Sequence, residues 1–287
     1  MENQRLEEIE NISSPCRLCP HECKAERNEK KAGFCRVPTL EPMISSYGPH
    51  FGEESFLVGR GGSGTIFFTY CNMKCVFCQN YDISQLGYGK VIKVEDLAKI
   101  MLTLQKAGCH NINLVTPTPH ILSIVKAIEL AKAKGLHIPI VYNCGGYESV
   151  KTLKLLKGVI DIYMPDFKYG ESEAGEELSK VKNYTEIALQ AIEEMLSQVG
   201  HLEIGPDGIA RKGVFIRHLI MPNDAASSFK ALELLAENFP GIAVNIMDQY
   251  YPTYLAERYP KISRRINARE WSEILKFAGS LRLRIVS

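Results

Sequence analysis

From about residue 65 onward the chain alternates between two periodicities. Apolar positions at Leu97, Ile100, Met101 and Leu104 recur with a helical period and predict a helix from Val94 to Gln105. Comparable stripes predict helices over 121–133, 149–156, 185–199, 229–237 and 269–278. Between them lie short runs, apolar on both faces, at 65–69, 112–115, 137–142, 159–164, 214–221 and 243–247. A strand buried on both faces belongs in a parallel sheet covered by helices. Such β/α units fit either an open doubly wound sheet or a partial barrel, and periodicity does not separate the two. Both gather ligands at the carboxyl ends of the strands. Functional residues are therefore expected at 71–78, 116–120, 143–146, 165–169, 222–224 and 248–251.

Upstream the pattern is weaker. Residues 1–40 show little hydrophobic periodicity and carry four cysteines among prolines and charges. Such a segment can scarcely bury a core of its own, and a bound metal would supply what it lacks. Extended pieces are expected at MISSY and ESFLV, within 42–58. Gly59, Gly61 and Gly64 spell G-x-G-x-x-G, but the run precedes a strand, so no helix N-terminus is present to receive a phosphate. It reads instead as a place where backbones pack closely. The expected division is a cysteine-rich extension over 1–58 and a core over 59–287.

Composition narrows the function. The 287 residues carry 34 Lys+Arg against 33 Asp+Glu, so no global excess of charge steers the chain to nucleic acid or to an anionic membrane. No apolar run approaches the roughly 18 residues of a membrane helix. The polar, acidic start is unlike a secretion signal, and a soluble cytoplasmic protein is expected. The basic stretch Arg258, Lys261, Arg264, Arg265 and Arg269 reads as a solvated face. Nine cysteines, an odd number in a chain without a secretion signal, argue against a disulfide framework. Cys109 reads as core, and Cys144 as a buried free thiol near the reaction end. Cys16-x2-Cys19-x3-Cys23-x11-Cys35 supplies four candidate ligands for tetrahedral zinc, with His21 an alternative ligand, or for an auxiliary iron–sulfur cluster. Both remain open.

The most specific feature is Cys71-x3-Cys75-x2-Cys78, directly after the run Thr65–Thr69. Three thiolates within eight residues can wrap one compact inorganic cluster, and the absence of a fourth nearby cysteine leaves one iron of a cubane open. Zinc with a distant fourth ligand is the bland alternative. Here the chain resembles the radical S-adenosylmethionine (SAM) superfamily, whose hallmark is this loop after the first strand of a partial (β/α)6 TIM-like barrel. The resemblance implies a 4Fe-4S cluster on Cys71, Cys75 and Cys78, SAM chelated at the open iron, and Phe77 against the adenine.

The segments GSGTIFFTYCNMKCVFCQNYDIS, NINLVTPTPH, VYNCGGYE, DIYMPDFKY and VFIRHLIMP resemble the pyruvate formate-lyase activating enzyme group, nearest its PflX-like branch. That resemblance spans about residues 16–254. It implies SAM contacts from Asp166 and Lys168, and from Asn143, Arg217 and Gln249. The usual Gly-Gly-Glu after the second strand is replaced by Thr116-Pro117-Thr118, whose two hydroxyls are plausible substitutes at the SAM amino group. The implied activity is reductive cleavage of SAM to a 5'-deoxyadenosyl radical. A glycyl-radical partner protein would receive it, with flavodoxin or ferredoxin as reductant. The alternatives are radical modification of a small molecule, peptide or RNA, and a non-catalytic iron–sulfur or zinc module.

Overall fold

The computed structural model describes residues 2–287. In chain order the elements are α1 (Glu2–Ser13), β1 (Met43–His50), α2 (Ser55–Val58), β2 (Ser63–Phe68), α3 (Tyr81–Ser84), β3 (Lys90–Val91), α4 (Val94–Lys106), β4 (Ile112–Val115), α5 (Ile121–Lys132) and β5 (Ile140–Cys144). There follow α6 (Val150–Leu155), β6 (Ile162–Pro165), α7 (Ser172–Ser179), α8 (Tyr184–Val199), β7 (Glu203–Ile204), β8 (Ala210–Leu219), α9 (Ser228–Asn238), β9 (Ala243–Met247), α10 (Ala268–Ser280) and β10 (Arg284–Ile285). Strands β2, β4, β5, β6, β8 and β9 lie side by side, each parallel to the next. This is the parallel α/β sheet of a partial TIM-like barrel, with helices on its outer face. β10 extends it beyond β9 in parallel, whereas β1 adds to the β2 edge antiparallel and β3 pairs with β1.

Alternation along each strand sorts the two faces. Ile66, Leu114, Tyr142, Tyr163, Ile216 and Val244 are essentially fully buried and belong to the main core shared with the helices. The opposite set, Val141, Ile162, Met164, Phe215 and Ala243, forms a second cluster with Phe56 and Leu57 of α2. Helix α2 thereby plugs the base of the barrel, and Phe56 meets Phe215 edge-on at 5.0 Å. That plug explains one departure from expectation. ESFLV was expected to be extended, but burial of Phe56 and Leu57 and capture of the Glu54 carboxylate by Arg217 fold it into a helical turn. Tertiary packing overrides strand propensity there.

Two other expectations shift. Helix α1 lies in a segment expected to lack periodicity. Its Leu6, Ile9 and Ile12 recur every three residues and pack into the core, and Arg5 donates to the Lys157 carbonyl at 2.9 Å. The third strand of the β/α series runs from 140 to 144, beginning three residues later than expected. Asn143 and Cys144 therefore lie within it rather than after it. The glycine-rich run behaves as expected, since a Cβ on Gly61 would stand 1.9 Å from the Gly108 carbonyl oxygen. In the basic stretch, Arg264 pairs with Glu270 and Arg269 with Glu273 on an exposed face. No helix among the described residues is long and apolar enough to cross a membrane.

Candidate functional site

The loop carrying Cys71, Cys75 and Cys78 leaves the carboxyl end of β2, and neighbouring elements fix its backbone. Tyr70 turns the chain with a left-handed φ of 64°, and its amide donates to the Ile83 carbonyl at 2.9 Å. The Lys74 and Val76 amides donate to the carbonyls of Ser179 and Leu178 at the end of α7, each at 2.9 Å. The Asn72 side chain reaches the Tyr147 carbonyl at 2.6 Å. A loop pinned at so many points holds its three sulfurs in a fixed relation.

Each sulfur has its own donor. The Met73 amide faces Cys71 Sγ at 3.3 Å, the Ser179 hydroxyl donates to Cys75 Sγ at 2.9 Å, and Ser84 Oγ lies 3.1 Å from Cys78 Sγ. Tyr169 supports Ser179 at 2.5 Å. Burial pushes the Cys75 thiol up to about 11 and raises Cys71 and Cys78 as well. Buried thiols of this kind stay protonated by themselves and become thiolates when a metal takes the place of the proton. The donors facing them suit that charged state. Three soft ligands with sulfur-directed donors fit an iron–sulfur cluster.

Lys168 and Asp166, just beyond β6, form an ion pair beside this loop, with side chains 17% and 23% exposed. Burial works against the Lys168 ammonium, yet attraction to Asp166 and then to Cys75 carries its pKa above the ordinary lysine value. Tyr184 organises this corner. Its hydroxyl receives the Lys168 amide at 2.8 Å and lies 2.9 Å from both the Gly145 and the Asp166 carbonyl oxygens. Gly146, at φ 80°, must be bare, because a Cβ there would lie 2.2 Å from the Asp166 carbonyl oxygen.

The other expected residues are distributed as follows. Phe77 is buried beside the Cys78 end of the loop, 6.1 Å from Tyr250. Gln249 is exposed, and its carbonyl receives the Gln79 amide group at 3.1 Å. Asn143 accepts the Thr116 amide at 2.9 Å through its backbone, and both side chains are partly exposed. Thr118 is buried, and its hydroxyl is committed to Glu148 at 2.7 Å. Arg217 stands beside Asp166 through its backbone, its carbonyl receiving the Phe167 amide at 2.8 Å, while its side chain turns to Glu53 and Glu54. Its Nε donates to Glu54 at 2.8 Å, its Nη2 contacts Glu53 and Glu54, and Asn245 completes the cluster on Glu54 at 2.7 Å.

Sequence reasoning did not single out Ser84, Tyr169, Ser179, Tyr184 or Glu148. Ser84, Tyr169 and Glu148 lie within the segments that carry the family resemblance, whereas Ser179 and Tyr184 lie outside them. The Glu148 carboxyl is buried and receives Thr118, Tyr142 at 3.1 Å and the Cys144 thiol, and burial pushes its pKa up to about 7. Cys144 is thus occupied by Glu148. His120 is equally buried, bonded to the Thr69 carbonyl at 2.9 Å, and its pKa falls to about 3.

Residues 65–199 match the family model described as the radical SAM superfamily. An uncharacterised protein of Methanocaldococcus jannaschii is 39% identical over 292 residues, spanning 98% of this chain and 79% of that protein. Among solved structures, methylornithine synthase superposes with a TM-score of 0.52 at 18% identity, covering 75% of this chain and 61% of its own. The Streptococcus suis protein SuiB, bound to its precursor peptide SuiA, gives a TM-score of 0.50 at 14% identity, covering 76% and 47%. This chain therefore spans less than two thirds of either structure, and the likeness to them is one of fold.

Proposed function

Because this chain belongs to the radical SAM superfamily, whose members use SAM and a 4Fe-4S cluster, we propose that Cys71, Cys75 and Cys78 hold that cluster and that SAM binds beside it at the mouth of the barrel. The observation that carries this reading is the seating of the three sulfurs, each with its own donor, at the carboxyl end of β2 next to the Asp166–Lys168 pair. When bound, such a cluster supplies the electron that breaks the sulfonium of SAM and leaves a 5'-deoxyadenosyl radical for hydrogen abstraction.

The protein's own residues bind and orient. Lys168 presents a fixed positive charge to the SAM carboxylate, and Asp166 offers an acceptor to its ammonium or ribose. Thr116 and Asn143, adjacent on neighbouring strand ends, are the partly exposed polar groups that receive the remaining donors. Thr118, Arg217 and Gln249 complete the set, Thr118 and Arg217 from side chains that also hold carboxylate partners. Phe77 and Tyr250 close the apolar side and keep water from the radical. In this reading residues 59–287 carry the chemistry, and residues 1–58 form an extension whose cysteine segment borders the mouth.

The target we propose is a glycyl-radical-type partner protein, with a flavodoxin or ferredoxin as reductant. This rests on the segments resembling the activating enzymes. Anaerobic protein, reduced with dithionite and mixed with SAM, is expected to release 5'-deoxyadenosine, and Cys75→Ala to release none. Absence of SAM binding by the reduced protein would refute the enzyme reading. Recovery of the radical on a small molecule, peptide or RNA, and on no partner glycine, would replace the proposed target alone.

A further inference from the structure

The four N-terminal cysteines remain without a role in this chemistry. Cys16, Cys19, Cys23 and Cys35 line one small cavity of about 10 Å³, closed by Leu18, Phe34 and Pro119 and bordered by Asn72 and Thr118 of the barrel mouth. The backbone is built around their sulfurs. The amides of Leu18, His21 and Val37, each two residues after a cysteine, face Cys16, Cys19 and Cys35. Met73 and Asn80 face Cys71 and Cys78 in the same way. Gly33 is bare because a Cβ there would stand 2.3 Å from Cys23 Sγ.

Glu22, Lys24 and Arg36, flanking Cys23 and Cys35, hold left-handed φ values of 40°, 52° and 66°. Non-glycine residues in that region cost about 1 kcal/mol or more each and persist where surrounding bonds over-determine them. Arg27, 3% exposed, lies against Cys16 while donating to the Thr39 carbonyl at 2.7 Å. A buried guanidinium is expensive unless it faces negative charge, which four metal-bound thiolates would provide.

We propose that Cys16, Cys19, Cys23 and Cys35 hold an iron–sulfur cluster of their own. Zinc would draw four sulfurs to about 2.3 Å around one point, whereas a cluster spreads its cysteine ligands over its outer corners. The amide two residues after the cysteine faces the sulfur in both groups, at Cys16, Cys19 and Cys35 as at Cys71 and Cys78, whose loop is read as a cluster site. The location of the N-terminal cysteines also suits a redox group. His21 meets the Asn72 carbonyl at 2.8 Å, so the cavity lies directly against the catalytic cysteine loop.

The test uses the full chain carrying Cys71→Ala, Cys75→Ala and Cys78→Ala, reconstituted anaerobically with ferrous iron and sulfide. Iron and acid-labile sulfide are expected in equal amounts, about four each for a cubane, with visible charge-transfer absorption and no zinc. One zinc without sulfide would overturn the proposal, as would a folded chain, checked by circular dichroism, that binds no metal or carries a Cys–Cys disulfide. If the triple variant does not fold, the native chain decides. Its reconstituted iron should be about eight per chain and fall to about four in Cys19→Ala/Cys35→Ala. An iron content unchanged by that double substitution would equally overturn it.

Discussion

Replacing Glu148 by Gln isolates the energetic consequence of a buried carboxyl. In the folded chain burial raises this group from 4.5 to about 7, while the unfolded chain leaves it near the ordinary value. The folded state therefore retains a proton that the unfolded state releases. Below the unfolded pKa both states are protonated, and Glu148 carries no pH-dependent penalty. As pH rises toward 7 the unfolded state ionises first, so stability falls by about 1.4 kcal/mol per pH unit. Above the folded pKa both states are ionised and the loss is complete. The shift of about 2.5 units corresponds to about 3 kcal/mol. Gln cannot ionise, and its amide can face the Thr118 and Tyr142 hydroxyls once these turn to accept. The assay is anaerobic urea unfolding of both chains from pH 5 to pH 8, read as the difference between them at each pH. That difference should move by roughly 3 kcal/mol in favour of the Gln chain as pH rises, then flatten. A difference independent of pH, or one that moves the other way, would refute the assignment of a protonated buried carboxyl.

Two further substitutions probe the site. Ser179→Ala removes the hydroxyl facing Cys75 Sγ at 2.9 Å; loss of about 1 kcal/mol of stabilisation of the reduced cluster lowers the reduction potential by about 40 mV, measured by redox titration of the bound cluster. An unchanged potential would show that this bond does not act on the cluster. Lys168→Met removes the cation beside the cysteine loop and is expected to weaken SAM binding by tenfold or more in equilibrium dialysis while the iron content stays constant. Equal affinity in the two proteins would remove Lys168 from the SAM site.

Strands such as 112–115 and 243–247 were legible because runs apolar on both faces have one stable home, a sheet covered on both sides. The Cys71–Cys78 loop was legible because three thiols at that spacing have few uses. Other features depend on distant partners. Glu54–Val58 reads locally as a strand and becomes a helical turn because Arg217, 163 residues later, takes the Glu54 carboxylate. Ser179 carries no motif of its own and acquires meaning from Cys75, 104 residues away. Tyr184 likewise matters through the Gly145 and Asp166 carbonyls, which the β5 and β6 strand ends bring together. Local pattern specifies elements; the second layer of a site arises where elements meet.

The two ends of the barrel explain why the chemistry has one address. At the base, Phe56 and Leu57 pack among Val141, Ile162 and Phe215, and the adjoining Glu54 carboxylate is held by Arg217 and Asn245 reaching in from β8 and β9. A ligand entering from below would have to break an apolar plug and a nearly buried ion-pair cluster, at a cost of several kcal/mol. At the opposite end, the loop after β2 is flanked by Tyr81 stacked on Tyr254 at 4.9 Å, with Leu86 and Tyr88 exposed at 47% and 64%. A partner of the kind proposed above would have to bring apolar surface to this rim while inserting a small reactive group. If the proposed partner is right, substitutions at Tyr81, Leu86, Tyr88 and Tyr254 would alter substrate choice while leaving the cysteine loop intact.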